Sequence, residues 1–386
     1  MTLGIRWLAL APDSGFGDAS EAYLSGLRAA GIPVSWTPMG WFAGAWRQPF
    51  GPAADLDLTG RTHADIANAV IGHDTVVVAA PPIWDEHLEW EAAGRRLVAF
   101  TTWETDRMPE RWRAILSRYD RVLVPSEFNR ATLAAAGLAP SIHVVPHIAR
   151  PAPHPAGPGG DGGPFVFYTI ATWTSRKAVL DTVAAFVTEF REDEDVVLVI
   201  HTSPTDQVAR GRAARDGRVG DAKREQSWFT LAAALAGRSD VPRIVLSTRQ
   251  LDRAGIDSLH DRGDCFVSLS RAEGWGLGAF DAGGRGNPVV VTGWGGTLDM
   301  LPAGYPYCVD YDLVPTSLDE PDDWWSPLPG ERWAKARVDH ASALLRQVYE
   351  QRAEAREWGR MLQSYIHATF DEAQVTRRLL DALFGD

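Results

Sequence analysis

The segment Ser270 to Met300, SRAEGWGLGAFDAGGRGNPVVVTGWGGTLDM, holds the residue types and spacing in this chain best suited to chemistry. A strand is expected to end near Leu269. Glu273 then follows in a loop where Gly274, Gly276 and Gly278 leave the backbone unobstructed, with Trp275 among them, and a helix is expected to start near Leu277. Backbone N–H groups at a helix start receive an anion such as a diphosphate, helped by the helix dipole. Asp281 falls on the first turns of that helix, so two carboxylates are offered to one ligand. Ionised carboxylates are the strongest acceptors for hydroxyl donors, which points to a sugar or a ribose. The alternative role for a carboxylate in such a loop is helix capping.

Three further loops follow strands. Ala171 to Lys177, ATWTSRK, brings Arg176 and Lys177 to a strand-to-helix turn, where a guanidinium fork and a point charge together neutralise a diphosphate. Pro12 to Asp18, PDSGFGD, precedes a helix expected from about Ser20. Its Gly15 and Gly17 suit either close backbone approach to a ligand or a plain tight turn. Thr101 to Pro109, TTWETDRMP, presents Glu104, which suits orienting or deprotonating an acceptor hydroxyl, or else capping the helix that begins near Pro109. Arg249 to Leu251, after a later strand, is expected to contact a nucleotide base.

Ser270 to Gly296 resembles the family 4 retaining glycosyltransferases of the GT-B fold. That family carries an acidic pair written E-x7-E in a context S-x-x-E-G-x-G-L…G-x-P-V-V-x-T…G-G, and here the second acid is Asp281. The resemblance extends at graded strength to Val122-Leu-Val-Pro-Ser-Glu-Phe, Gly137 and Val144-Val-Pro-His147. It implies that Glu273 lies against the donor sugar, that Asp281 takes the ribose hydroxyls and that Arg176 and Lys177 hold the pyrophosphate. Many members write that last pair as G-R-x-x-x-x-K; Thr172 occupies the Arg position here. The resemblance also implies that Gly15 and Gly17 close over the donor, and that sugar is transferred with retention, the leaving phosphate oxygen taking the acceptor proton.

Parallel sheets wrapped by helices must position these loops. Short apolar runs alternate with helical stretches, which is the pattern of α/β folds. The strands expected are Ile5 to Leu10, Val76 to Ala80, Leu97 to Phe100, Val122 to Val124 and Ile142 to Val145, then Phe165 to Ile170, Val196 to His201, Ile244 to Ser247, Cys265 to Leu269, Val289 to Thr292 and Tyr307 to Val309. Between the two sets lies ARPAPHPAGPGGDGGP, whose Pro and Gly content marks a linker. The expected architecture is α/β of GT-B type: a Rossmann-like acceptor domain over 1–148, a linker over 149–164, a Rossmann-like nucleotide-sugar domain over 165–365 facing the first across a cleft, and a helical tail over 366–386 packing back toward the first domain. Residues 204–240 read as a polar, Arg-rich and then Ala-rich insertion with one or two helices.

Composition narrows the function. At 386 residues, 45% hydrophobic and 23% charged, the chain suits two globular domains. Its formal net charge of -12 opposes nucleic-acid binding. Two cysteines, Cys265 and Cys308, sit in apolar runs and suit reduced core thiols in the cytoplasm. No run approaches the ~20 apolar residues of a membrane span. The arginine-bearing helix after Pro109, with Trp112, allows at most peripheral contact with the inner face of a membrane. Asp55-Leu-Asp57 is formally a D-x-D metal motif, but nothing around it supports ligation, and no metal or cofactor is expected. The expected partners are a nucleotide-sugar donor and a hydroxyl acceptor: a glycan, a small molecule or a lipid-linked acceptor. Competing readings are a nucleotide-sugar-binding subunit without its own chemistry, and another enzyme on the same fold such as a phosphorylase, an epimerase or a sucrose-synthase-like enzyme.

Overall fold

Apolar runs closed by Gly, Pro or polar turns set the strands, and amphipathic stretches between them set the helices. The computed structural model describes residues 4–10, 14–42, 45–47, 62–151, 163–216, 223–316 and 330–385. The chain divides into two units. Unit 1 takes Met1–Trp103, Arg107–Arg150 and Thr369–Asp386, and unit 2 takes Glu104–Asp106 and Pro151–Ala368.

The sheet of unit 1 comprises β1 (Ile5–Leu10), β2 (Val34–Phe42), β3 (Ala45–Arg47), β4 (Thr75–Ala79), β5 (Arg96–Phe100), β6 (Arg121–Val124) and β7 (Ser141–Val144), in the order β3-β2-β1-β4-β5-β6-β7. All neighbours are parallel except β2 and β3. Helices α1 (Gly15–Ala29), α2 (Glu86–Ala92), α3 (Glu110–Leu116) and α4 (Glu127–Ala135) connect them. Strands β1, β4, β5 and β6 are almost wholly buried, as expected of parallel strands covered on both faces.

Two features of this unit differ from expectation. Strands β2 and β3 were not expected; β2 carries Pro38 and Gly40, which weaken a strand pattern. Pro38 is tolerated because β3 pairs only with Gly40 to Phe42, so that among the described residues the outer edge of β2 has no ladder partner at Pro38. Helix α1 begins at Gly15 instead of near Ser20, because Ser14 caps it, its hydroxyl accepting from Gly17 N at 3.1 Å. Gly15 and Gly17 therefore form the first turn of a helix.

The sheet of unit 2 comprises β8 (Phe165–Ile170), β9 (Val196–His201), β10 (Arg243–Ser247), β11 (Cys265–Ser268), β12 (Val289–Thr292) and β13 (Cys308–Val309), all parallel, in the order β10-β9-β8-β11-β12-β13. Its helices are α5 (Val179–Glu189), α6 (Gln207–Arg215), α7 (Ser227–Leu235), α8 (Arg253–Arg262), α9 (Leu277–Gly284), α10 (Val338–Glu350) and α11 (Arg352–Thr369). Helix α5 packs on α10: Ser342 Oγ donates to Ala185 O at 3.0 Å and Arg346 Nε donates to Glu189 Oε1 at 2.8 Å. An unexpected antiparallel pair, β14 (Tyr311–Pro315) and β15 (Arg332–Ala336), completes the unit.

After α11 the chain returns to unit 1 as α12 (Glu372–Phe384), which packs on α1 so closely that a Cβ at Gly26 would lie 2.1 Å from Thr376 Oγ1. Arg121 anchors it by donating to Ala382 O at 2.8 Å. Most of the expected linker, and both Asp55 and Asp57, lie outside the described residues. Cys265 and Cys308 are free thiols; burial pushes Cys265 well above its ordinary range and Cys308 up to about 11.

Candidate functional site

Both sheets reverse their strand order beside their first strand, unit 1 between β1 and β4, unit 2 between β8 and β11. At such a point the loops leaving two adjacent parallel strands run in opposite directions, opening a crevice at the strands' carboxyl ends. In unit 2 that crevice is a pocket open to solvent, lined among others by Lys177, Glu273, Gly276, Gly278, Trp294 and Thr297. Trp294 and Thr297 come from the turn after β12 and were not singled out in the sequence, where their Gly-rich context read only as part of a motif.

Four charged groups form one cluster, of which Lys177 and Glu273 line the pocket while Arg176 and Glu104 are not among its lining residues. Lys177 Nζ donates to Glu273 Oε1 at 2.5 Å. Arg176 Nη1 donates to Ala272 O at 2.8 Å and lies 3.4 Å from Glu273 Oε2. Arg176 Nε lies 2.9 Å from Glu104 Oε2. The cations and acids alternate as Glu104, Arg176, Glu273, Lys177, all largely covered, with side-chain exposures of 13% for the acids and 21% for the cations. Glu104 belongs to unit 2 because its segment is bound there: Thr105 Oγ1 donates to the buried Glu331 at 2.6 Å, and Asp106 accepts from Arg332 N and Nε at 2.7 and 2.8 Å. Neither Glu104 nor Asp106 caps α3, which has no side-chain cap.

Electrostatics separates the two acids. Burial pushes the Glu104 carboxyl above its ordinary range, and the Arg176 charge does not fully offset it. Burial would raise Glu273 too, but Lys177 and Arg176 beside it hold its carboxyl below that range. Two carboxylates in one site are thereby made chemically different.

Local backbone structure fixes these groups. The loop after β8 ends at Ala178, a buried alanine at φ +46°, a left-handed conformation that costs on the order of 1 kcal/mol or more and turns the chain from Lys177 into α5. Arg271 N and Ser270 Oγ both donate to Arg176 O, at 2.7 and 3.2 Å, binding the β8 loop to the β11 loop. Gly296 N donates to Glu273 O at 2.9 Å and fixes the acid from the other side.

Helix α9 starts at Leu277 as expected, and no side chain caps it. Its N-cap, Gly276, has φ +92°, and a Cβ there would lie 2.7 Å from Thr297 Oγ1, so the position requires glycine twice over. The first-turn amides of a helix have no acceptor within the helix, and here that turn borders the pocket at Gly276, Gly278 and Ala279.

The remaining predicted residues lie elsewhere. Asp281 accepts from Arg253 Nη1 at 3.1 Å and is not among the pocket-lining residues. Trp275 turns into the core, 3% exposed, against Phe280 at 5.3 Å between ring centroids. Gly274 is buried behind the lining, and Leu277 is half-buried. Thr172 is exposed after β8, outside the lining residues. Leu251 packs near Gly255 at the start of α8. Gly15 and Gly17 belong to unit 1. Arg253, the partner of Asp281, gave no signal in the sequence.

No protein-family model and no curated protein sequence matches the chain. Solved structures do. Anabaena HepE in complex with UDP and glucose is similar with a TM-score of 0.60 at 13% identity, covering 99% of each chain. Sucrose-phosphate synthase from Thermosynechococcus elongatus reaches 0.65 at 15% identity over 98% of this chain and 97% of its own. A trehalose-6-phosphate protein from E. coli bound with UDP-2-fluoro glucose reaches 0.63 at 12% identity over 98% of each. At these identities the likeness is one of fold, and the chain has the GT-B fold of these glycosyltransferases.

Proposed function

We propose that this chain moves a hexose from a nucleoside diphosphate sugar to a hydroxyl acceptor, with retention of anomeric configuration and without a metal ion, on the cytoplasmic side. The observation that carries this reading is the convergence of Lys177, the Glu273 carboxylate and the uncapped start of α9 on one pocket at the switch point of unit 2. Supporting it, proteins of the same fold include HepE in complex with UDP and glucose and the E. coli protein bound with UDP-2-fluoro glucose.

Breaking the bond between the sugar and the diphosphate puts negative charge on the leaving phosphate and positive charge on the sugar ring. Lys177, Arg176 and the α9 amides stabilise the first in a partly dry site, and Glu273 faces the second. These cations are balanced by Glu273 and Glu104, so an incoming diphosphate competes with carboxylates for them. The acceptor oxygen bonds to the anomeric carbon as the bond to phosphate breaks, and the acceptor proton passes to the departing phosphate oxygen. Glu104, with its raised carboxyl, orients the acceptor hydroxyl. Asp281, which lies outside the pocket lining and is paired with Arg253, exchanges that pair for the ribose hydroxyls, and residues 249–251 border the base.

The balance of charges inside the site also favours a second reading, a subunit that binds nucleotide sugar without transferring it. Incubation of the purified protein with UDP-, GDP- and ADP-sugars, followed by NMR, separates the two. Transfer chemistry predicts slow hydrolysis of one donor with the released sugar first appearing in the donor's anomeric configuration. No hydrolysis of any donor selects the binding subunit.

A further inference from the structure

The insertion between β9 and β10 carries a surface that the sugar-transfer reading does not use. Helix α7 turns its apolar side outward: Trp228, Phe229, Ala232 and Ala233 are exposed on one face, while Ser227 and Leu231 are buried on the other. Trp228 and Phe229 are 51% and 37% exposed, and their rings meet edge to face at 5.8 Å. An ordinary surface helix does the reverse.

The charge of the same region is also reversed. Across the chain Asp and Glu outnumber Lys and Arg by 50 to 38. The stretches 207–216 and 223–230 instead carry Arg210, Arg212, Arg215, Lys223 and Arg224 against Asp216 and Glu225. Arg210, Lys223 and Arg224 are exposed. These residues are gathered by a closed neck. Asp206 N donates to Glu225 O at 2.7 Å, Ser227 N donates to Pro204 O at 2.9 Å, and Thr230 Oγ1 donates to Asp206 Oδ2 at 2.6 Å, so α6 and α7 start side by side.

We infer that this insertion, with exposed aromatic side chains and exposed cations on and beside two helices that start side by side, docks on the surface of an anionic lipid bilayer. Trp and Phe enter the headgroup boundary while Arg and Lys meet the lipid phosphates, and the pairing of the two is what distinguishes such a surface from an apolar protein interface. The neck also sets direction. Gln207 N donates to Trp173 O at 3.0 Å, in the loop that carries Arg176 and Lys177, so the docking face and the pocket are built on the same carboxyl end of the unit 2 sheet. On the sugar-transfer reading, and resting on it, the acceptor is then an amphiphile held in the bilayer.

Sedimentation with sucrose-loaded vesicles tests the docking without any transfer assay, so its failure and that of the sugar-transfer reading are distinguishable. The expected result is partitioning onto phosphatidylglycerol vesicles at least about tenfold above phosphatidylcholine vesicles, reduced by added salt. Arg210→Gln with Lys223→Gln and Arg224→Gln should bring the two lipids to one level, and Trp228→Ser with Phe229→Ser should cut binding to both. Circular dichroism confirms that each variant is folded. Equal binding to both lipids by the wild type, or none, overturns the inference. So does concentration-dependent self-association that the Trp228 and Phe229 changes abolish, since that assigns the face to a second copy of the chain.

Discussion

Glu104 and Arg176, which the sequence places in different halves of the chain, form an ion pair of 2.9 Å inside unit 2. Both side chains are largely removed from water, and a buried charge without a partner costs several kcal/mol. The pair is therefore read as one electrostatic unit with Glu273 and Lys177, and each member can be tested through the others.

Replacing Lys177 with Ala removes a cation from beside the developing phosphate charge. A loss of about 10²- to 10³-fold in turnover is expected, the range for one preorganised electrostatic donor. Glu273→Gln should leave nucleotide affinity nearly unchanged while lowering transfer. Steady-state kinetics beside equilibrium binding checks both.

The two acids should respond to pH with opposite sign. Folding favours the protonated form of Glu104, so its contribution is complete below the ordinary carboxylate value and is lost as pH rises through its raised folded value. Glu273 is held low, so its contribution is present above the ordinary value and is lost as pH falls through its depressed one. Thermal melts should show Glu104→Gln gaining on the wild type at neutral pH, with the gain vanishing on acidification. Glu273→Gln should lose at neutral pH, the loss shrinking in acid.

Gly276→Ala should destabilise the chain by about 1 to 3 kcal/mol, since alanine at positive φ is strained and its Cβ meets Thr297 Oγ1. Adding Thr297→Ala removes the clash but not the strained φ, so urea denaturation should recover part of the loss. Full recovery would show that the backbone conformation costs nothing.

Thr105→Val removes a 2.6 Å hydrogen bond to Glu331, which is 2% exposed. A cost of about 1 to 3 kcal/mol is expected from the weakened partnering of a buried carboxylate. Because Thr105 adjoins Glu104, the same variant should change the pH response of Glu104, visible in the melts above.

The sequence made visible what depends on local pattern. Strands β1, β8, β9 and β12 occupy the expected residues because largely apolar runs have few other places to go in a parallel sheet. Strand β2 was hidden by Pro38, whose tolerance depends on where β3 ends, β14 by its exposed residues, and β15 by the charged Arg332 and Lys335 that interrupt its apolar pattern. In the site, Lys177, Arg176, Glu273 and the start of α9 were legible because each lies in a strand-to-helix loop or at its end. The partners of Glu104 and Asp281 were not, because Arg176 and Arg253 reach them only through the folded chain, and no spacing in the sequence encodes that approach.

The central claim is that a diphosphate docks against Lys177 and the first turn of α9. Thermal stability of the wild type and of Lys177→Ala with UDP, GDP and ADP, each compared with its nucleoside, tests it most directly. One nucleoside diphosphate should stabilise the wild type by ~2.7 kcal/mol at a hundred times its dissociation constant, its nucleoside far less at the same concentration, and the variant little with either. Equal stabilisation by nucleoside and diphosphate, or an undiminished effect in Lys177→Ala, would contradict the account.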